Sequence, residues 1–94
     1  MKVIHNVIGG DERVAVGGET IDKHAPATGE LLSLVTRSCA EDVDAAIAAA
    51  EAAQPAWAVR PVEERGRLLR RIAQLLERDR DEVAAVVAAE TGKA

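Results

Sequence analysis

The sequence predicts an α+β segment: two short N-terminal β-hairpins followed by three amphipathic helices. Three observations predict it. The first third alternates β-prone runs with Gly and Pro punctuation. The remainder repeats apolar residues at helical spacing. The apolar fraction is built largely of small side chains, with 19 Ala and neither Phe nor Tyr in 94 residues.

The hairpins are read first. Val3, Ile4, Val7 and Ile8 form a β-prone run that stops at Gly9-Gly10, a strong turn signal. Val14-Ala15-Val16 supplies the expected second strand, closed by Gly17-Gly18. A third strand is expected from Glu19 to Ala25 and a fourth from Leu31 to Thr36. Between them, Pro26-Ala27-Thr28-Gly29 has the chemistry of a tight reversal, because Pro presets φ and Gly tolerates a positive one.

The helices follow. Ser38 and Glu41 fit a capping box, in which two side chains satisfy orphan backbone N–H groups. Val43, Ala46, Ile47 and Ala50 then share a helical face, and Pro55 is expected to end the helix, leaving Trp57 as an anchor in the connection. A second helix starts near Pro61, with Leu68, Leu69, Ile72, Leu75 and Leu76 as its apolar stripe. Gly66 inside it implies either a close neighbour or an unoptimised position, since Gly costs about 1 kcal/mol against Ala. Asp79 and Glu82 offer a second capping box for a third helix, which turns Val83, Val86 and Val87 inward. Gly92 is its natural stop, and Lys93 suits the negative end of the dipole. The organisation expected is therefore a single partial domain over 1–94, with hairpins in 1–36 and helices in 38–94. The abrupt stop after a helix cap fits a truncated chain.

Composition narrows the function classes. Hydrophobic residues make up 48% of the chain, but an Ala methyl buries little surface, so a free-standing domain would be marginal. Net charge is −4, and the arginines between Arg60 and Arg80 are interleaved with Glu63, Glu64, Glu77 and Asp79. Such a face reads as solvated, and nucleic acid is not an expected partner. No run approaches the roughly 20 apolar residues needed to span a bilayer, and no leader is evident, so a soluble cytoplasmic chain is expected.

No motif in the sequence forms an active site. Cys39 is the only thiol and lacks a recognisable base. His5 and His24 have no companion at metal-ligand spacing. Gly9-Gly10 and Gly17-Gly18 do not open a helix after a strand, as a phosphate-binding loop would. Glu51, Glu63 and Glu64 have no evident carboxylate partner for acid–base work.

Five short segments, taken in order, resemble the start of aldehyde dehydrogenases. Ile21-Asp22-Lys23-His24-Ala25-Pro26-Ala27-Thr28-Gly29-Glu30 is similar to that family's Asn-Pro-Ala-Thr-Gly-Glu hairpin, with Ala25 where Asn is usual. Cys39-Ala40-Glu41-Asp42-Val43-Asp44 resembles its helix start, with Cys39 in place of Ser or Thr. Then come Pro55-Ala56-Trp57, Glu64-Arg65 with Leu68-Leu69, and Glu90-Thr91-Gly92-Lys93, followed by Ala94 where Pro is common. In this register Cys39 is the N-cap and Asp42 the N3 acid, so two capping registers stay open.

The resemblance implies hairpins and outer helices attached to a cofactor-binding domain, in an enzyme that oxidises an aldehyde with NAD or NADP. That reaction passes through a thiohemiacetal and a thioester. The family's nucleophile, general base, oxyanion hole and dinucleotide loops lie in later motifs, so no catalytic or cofactor-binding residue is assigned here, Cys39 included. A monovalent-cation site is implied at Lys23, His24 and Glu90. The implied partners are the remainder of the fold, a small aldehyde and further copies in a homodimer or homotetramer. The chain alone is expected to be inactive. Two rival readings are a small non-catalytic interaction module of the same layout and a free-standing thiol enzyme using Cys39.

Overall fold

The computed structural model describes residues 2–93; Ala94, one of the departures named above, lies outside them. Five strands form two small sheets, followed by three helices. The strands are β1 (Val3–Ile4), β2 (Asn6–Ile8), β3 (Asp11–Arg13), β4 (Thr20–His24) and β5 (Leu31–Thr36). The helices are α1 (Ala40–Ala58), α2 (Val62–Arg78) and α3 (Arg80–Thr91).

The first hairpin forms, but with a different return strand. β2 pairs antiparallel with β3, matching Asn6 to Arg13 and Ile8 to Asp11. A two-residue connection of the mirror-image kind needs positive φ at both positions, which Gly9 and Gly10 supply at 62° and 85°. That tight turn fixes the register, so the strand must start at Asp11. Val14-Ala15-Val16 therefore falls beyond the ladder and is not a strand. It bends back instead, with Gly18 donating its N–H to the Ala15 carbonyl at 2.9 Å. Ala15 is among the most buried residues, at 3% exposure.

The run from Val3 to Ile8 is also broken at His5. β1 joins the second sheet, parallel to β5, and the sheet order is β1-β5-β4. This makes the second hairpin, β4–β5, the spine of the larger sheet. Its reversal closes as its composition predicts, with Gly29 N–H on the Ala25 carbonyl and Ala25 N–H on the Glu30 carbonyl, both at 2.8 Å.

Helix boundaries differ from the expectations at the end of α1 and at the starts of α2 and α3, and one of the two registers open at the start of α1 is selected. Pro55 lies inside α1, which continues for three more residues and caps at Val59. Proline removes the bond its own N–H would make to the Glu51 carbonyl and its ring crowds that oxygen, but Glu51 is exposed to water. The break is thereby tolerated, and Trp57 sits in the last turn rather than in a linker. Arg60 covers its ring, with the guanidinium carbon 6.0 Å from the centroid. At the start of α1 the register is the one with Cys39 as N-cap and Asp42 at N3, not Ser38 with Glu41. The Asp79–Glu82 capping box does not form. Asp79 has near-helical φ/ψ of −98° and 20°, and its carboxylate accepts from Arg78 Nε–H and Nη2–H, each at 2.9 Å. Pro61 stands just before α2, at the N-cap, with its carbonyl accepting from Glu64 and Arg65.

Packing is sparse. Among the described residues, the buried apolar ones are Ile8, Ala15 and Ala25. The face of α1 that turns inward carries Asp42, Ala45 and Ala49, while Val43 and Ile47 remain exposed. Along α2 only Leu75 of the apolar stripe is half-buried; Leu68, Leu69, Ile72 and Leu76 face outward, as do Val83, Val86 and Val87 of α3. The radius of gyration is 16.8 Å, against about 12 Å for a compact chain of this length. The molecule is a flat assembly measuring 47 × 35 × 17 Å, with apolar faces uncovered.

Candidate functional site

Two polar junctions hold the helices to the strands. The first is built on Asp42, a carboxylate only 6% exposed. Its Oδ2 accepts the Cys39 N–H at 2.8 Å, and its Oδ1 accepts the Val16 N–H at 3.1 Å. One side chain thus caps α1 and pins the bend that follows β3. These bonds, that from Cys39 foremost, hold the carboxyl below the usual aspartate range, against the opposing effect of its burial. Next to it, Asn6 Nδ2–H donates to Ser38 Oγ at 2.8 Å, tying β2 to the chain just before the helix. Thr36 Oγ–H donates to the Ile4 carbonyl at 2.7 Å and locks β1 onto β5.

The second junction brings together two of the three residues of the expected cation site, Lys23 and Glu90. Lys23 and His24 end β4, on either side of a shift in its register against β5. Glu90 lies in the last turn of α3. The Lys23 Nζ is 2.8 Å from Glu90 Oε1, and both side chains are about one-third exposed, at 34% and 33%. A second contact supports the approach of these elements. Gly92 ends α3 at φ 75°, and a Cβ built on it would lie 3.4 Å from Pro26 Cγ in the β4–β5 turn. His24 turns away from the pair and donates Nδ1–H to the Gly29 carbonyl at 3.1 Å.

The remaining reactive side chains stay apart. Cys39 is a free, exposed thiol at the N-cap of α1, and its backbone N–H donates to the Asp42 carboxylate. His5 lies between β1 and β2 with its Nδ1 enclosed. Among the described residues, no three His, Cys, Asp or Glu side chains converge as a metal cluster would require. No helix among them is long and apolar enough to cross a membrane. The arginine face of α2 lines a shallow groove of about 550 Å³ that includes Arg60, Arg67, Arg70 and Arg71, with Arg60 3.7 Å from Glu64. Sequence reasoning missed the junction role of Asp42, because its partner Val16 lies 26 residues away.

Comparison with known proteins gives a consistent result. The family described as the aldehyde dehydrogenase family matches residues 14–94. An aldehyde dehydrogenase from Bacillus cereus superposes with a TM-score of 0.93 at 36% identity, covering 98% of this chain and 19% of its own. An NAD-dependent aldehyde dehydrogenase from Sinorhizobium meliloti gives 0.92 at 31%, covering 99% and 19%. The protein PnpE, solved in complex with nicotinamide adenine dinucleotide, gives 0.89 at 38%, covering 92% and 18%. The chain spans about one-fifth of the length of each of these structures.

Proposed function

The chain belongs to the aldehyde dehydrogenase family, and from that premise we propose that it supplies the N-terminal part of the cofactor-binding domain of an enzyme that oxidises an aldehyde to a carboxylic acid. In the balanced reaction, aldehyde, NAD(P)+ and water give the acid, NAD(P)H and a proton. Each residue described here contributes to scaffolding. The hairpin spine, the Asp42 cap and the Lys23–Glu90 junction orient three helices whose apolar faces await cover.

The observation that carries the reading is the pairing of near-complete coverage of this chain with one-fifth coverage of its structural neighbours. The exposed Leu68, Ile72 and Val86 fit the same picture, since apolar helix faces of this extent mark an interface. The remainder of the fold is the partner proposed for them. On this reading the cofactor, NAD or NADP, and the small aldehyde bind residues outside this chain. Assembly as a homodimer or homotetramer belongs to the complete enzyme, in the cytoplasm, where the single thiol of Cys39 stays reduced. The junction of Lys23, His24 and Glu90 is proposed to hold one positive charge against the Glu90 carboxylate. The test is direct. Purified chain is expected to give no aldehyde-dependent NAD(P)H formation. Aldehyde-dependent formation of NAD(P)H by this chain alone would refute the scaffold reading.

A further inference from the structure

We propose that the positive charge at the hairpin–helix junction is the Lys23 ammonium itself, a tethered cation standing where a free sodium or potassium ion would otherwise neutralise Glu90. The inference rests on the reading of Lys23, His24 and Glu90 as a charge-holding junction. It goes further by naming the occupant from this chain's own residues.

The geometry of the donors decides between the two. A free alkali ion at this point needs the Glu90 carboxylate together with backbone oxygens from Lys23 and His24. Here the Oε1 of Glu90 already has the Lys23 Nζ at 2.8 Å, a charge-assisted hydrogen-bond distance. A metal ion bound to the same carboxylate would sit beside that ammonium, and two like charges in contact repel. The neighbouring side chain adds no donor there, since the His24 Nδ1 is committed to the Gly29 carbonyl at 3.1 Å.

An ammonium suits the place in another way. It carries one unit of charge and three N–H donors, so it can neutralise a single carboxylate as an alkali ion does. Being tethered, it needs no dissolved ion. Its position also has a mechanical consequence. Among the described residues, this is the ion pair that joins a strand to a helix, and the Gly92–Pro26 approach lies beside it. The C-terminal end of α3 is thereby fastened to the turn of the larger sheet whichever alkali cation is in solution.

Carbodiimide coupling of the intact chain tests this. The reagent condenses a carboxylate with a touching amine to an amide, with loss of water, and peptide mass spectrometry locates the bond. The reaction is run in choline chloride, sodium chloride and potassium chloride at equal ionic strength. The result expected is a Lys23–Glu90 link formed in equal yield in all three salts. A several-fold fall confined to the sodium or potassium arm would overturn the proposal, because a metal ion would then be displacing the lysine from a junction that does hold charge. Absence of the link in every arm would overturn both the proposal and the charge-holding reading beneath it. Glu90→Gln supplies the blank, since it removes the carboxylate while leaving Lys23 in place.

Discussion

At the scale of single residues, Asp42 does more than any other side chain to join strands to helices. It accepts two backbone N–H groups from segments that meet only in the folded chain. Its carboxyl is held below the ordinary aspartate range, so folding is linked to pH with a definite sign. The stability it contributes is fully present above the unfolded value of about 3.9, and is lost as pH falls through the lower, folded value. Asp42→Asn is expected to flatten that acid limb and to speed hydrogen exchange at one of the Cys39 and Val16 amides by roughly ten-fold, since Asn keeps a single acceptor oxygen. Unchanged exchange at both amides would show that the carboxylate is not their partner. Cys39 itself is a poor choice of N-cap side chain. Cys39→Ser is expected to stabilise the start of α1 by about 0.5–1 kcal/mol, read from slower hydrogen exchange in its first turn.

At the scale of elements, two positions in the helices are unoptimised in measurable ways. Gly66 meets nothing but the Arg70 guanidinium at 3.9 Å, and its φ is not in the left-handed region. No close approach within the described residues demands a glycine there. Gly66→Ala is expected to raise the stability of α2 by about 1 kcal/mol, visible as higher helicity on heating. Pro55 denies Glu51 its helical donor in the closing turns of α1. Pro55→Ala is expected to increase helical circular dichroism and to protect the amide at position 55 from exchange; a loss of helix would show instead that Pro55 sets the exit toward Trp57.

These elements also show what could be read from sequence. Turn chemistry was legible wherever it is local: Gly9-Gly10, Pro26 to Gly29 and the Gly92 cap all act through their own φ angles. Strand pairing was only partly so. A two-residue turn obliges polar Asp11–Arg13 to pair with β2, although Val14–Val16 has the better β composition. The parallel pairing of β1 with β5 depends on contacts across more than thirty residues, which periodicity does not carry. Family resemblance placed Lys23, His24 and Glu90 near one another, but the choice of Asp42 over Glu41 as the capping acid needed the bond to Val16.

At the scale of the whole molecule, the inward-facing residues are too small and too few to close a core. Ile8, Ala15 and Ala25 are the buried apolar residues, while the larger side chains of α2 and α3 point outward. Such a chain gains little from hydrophobic burial against the entropy of ordering its helices. Its extended shape follows from the same cause, since nothing draws the helices onto one centre. The face formed by Leu68, Leu69, Ile72 and Leu76 is complementary to a larger apolar layer, and the family relation names the fold that would supply it. Differential scanning calorimetry of the isolated chain tests whether that cover is required. A broad, shallow heat absorption, with an enthalpy far below the ~65 kcal/mol of a cooperative domain of this length, is the predicted result. A sharp two-state transition carrying that full enthalpy would contradict it, and would mean that these hairpins and helices complete a domain by themselves.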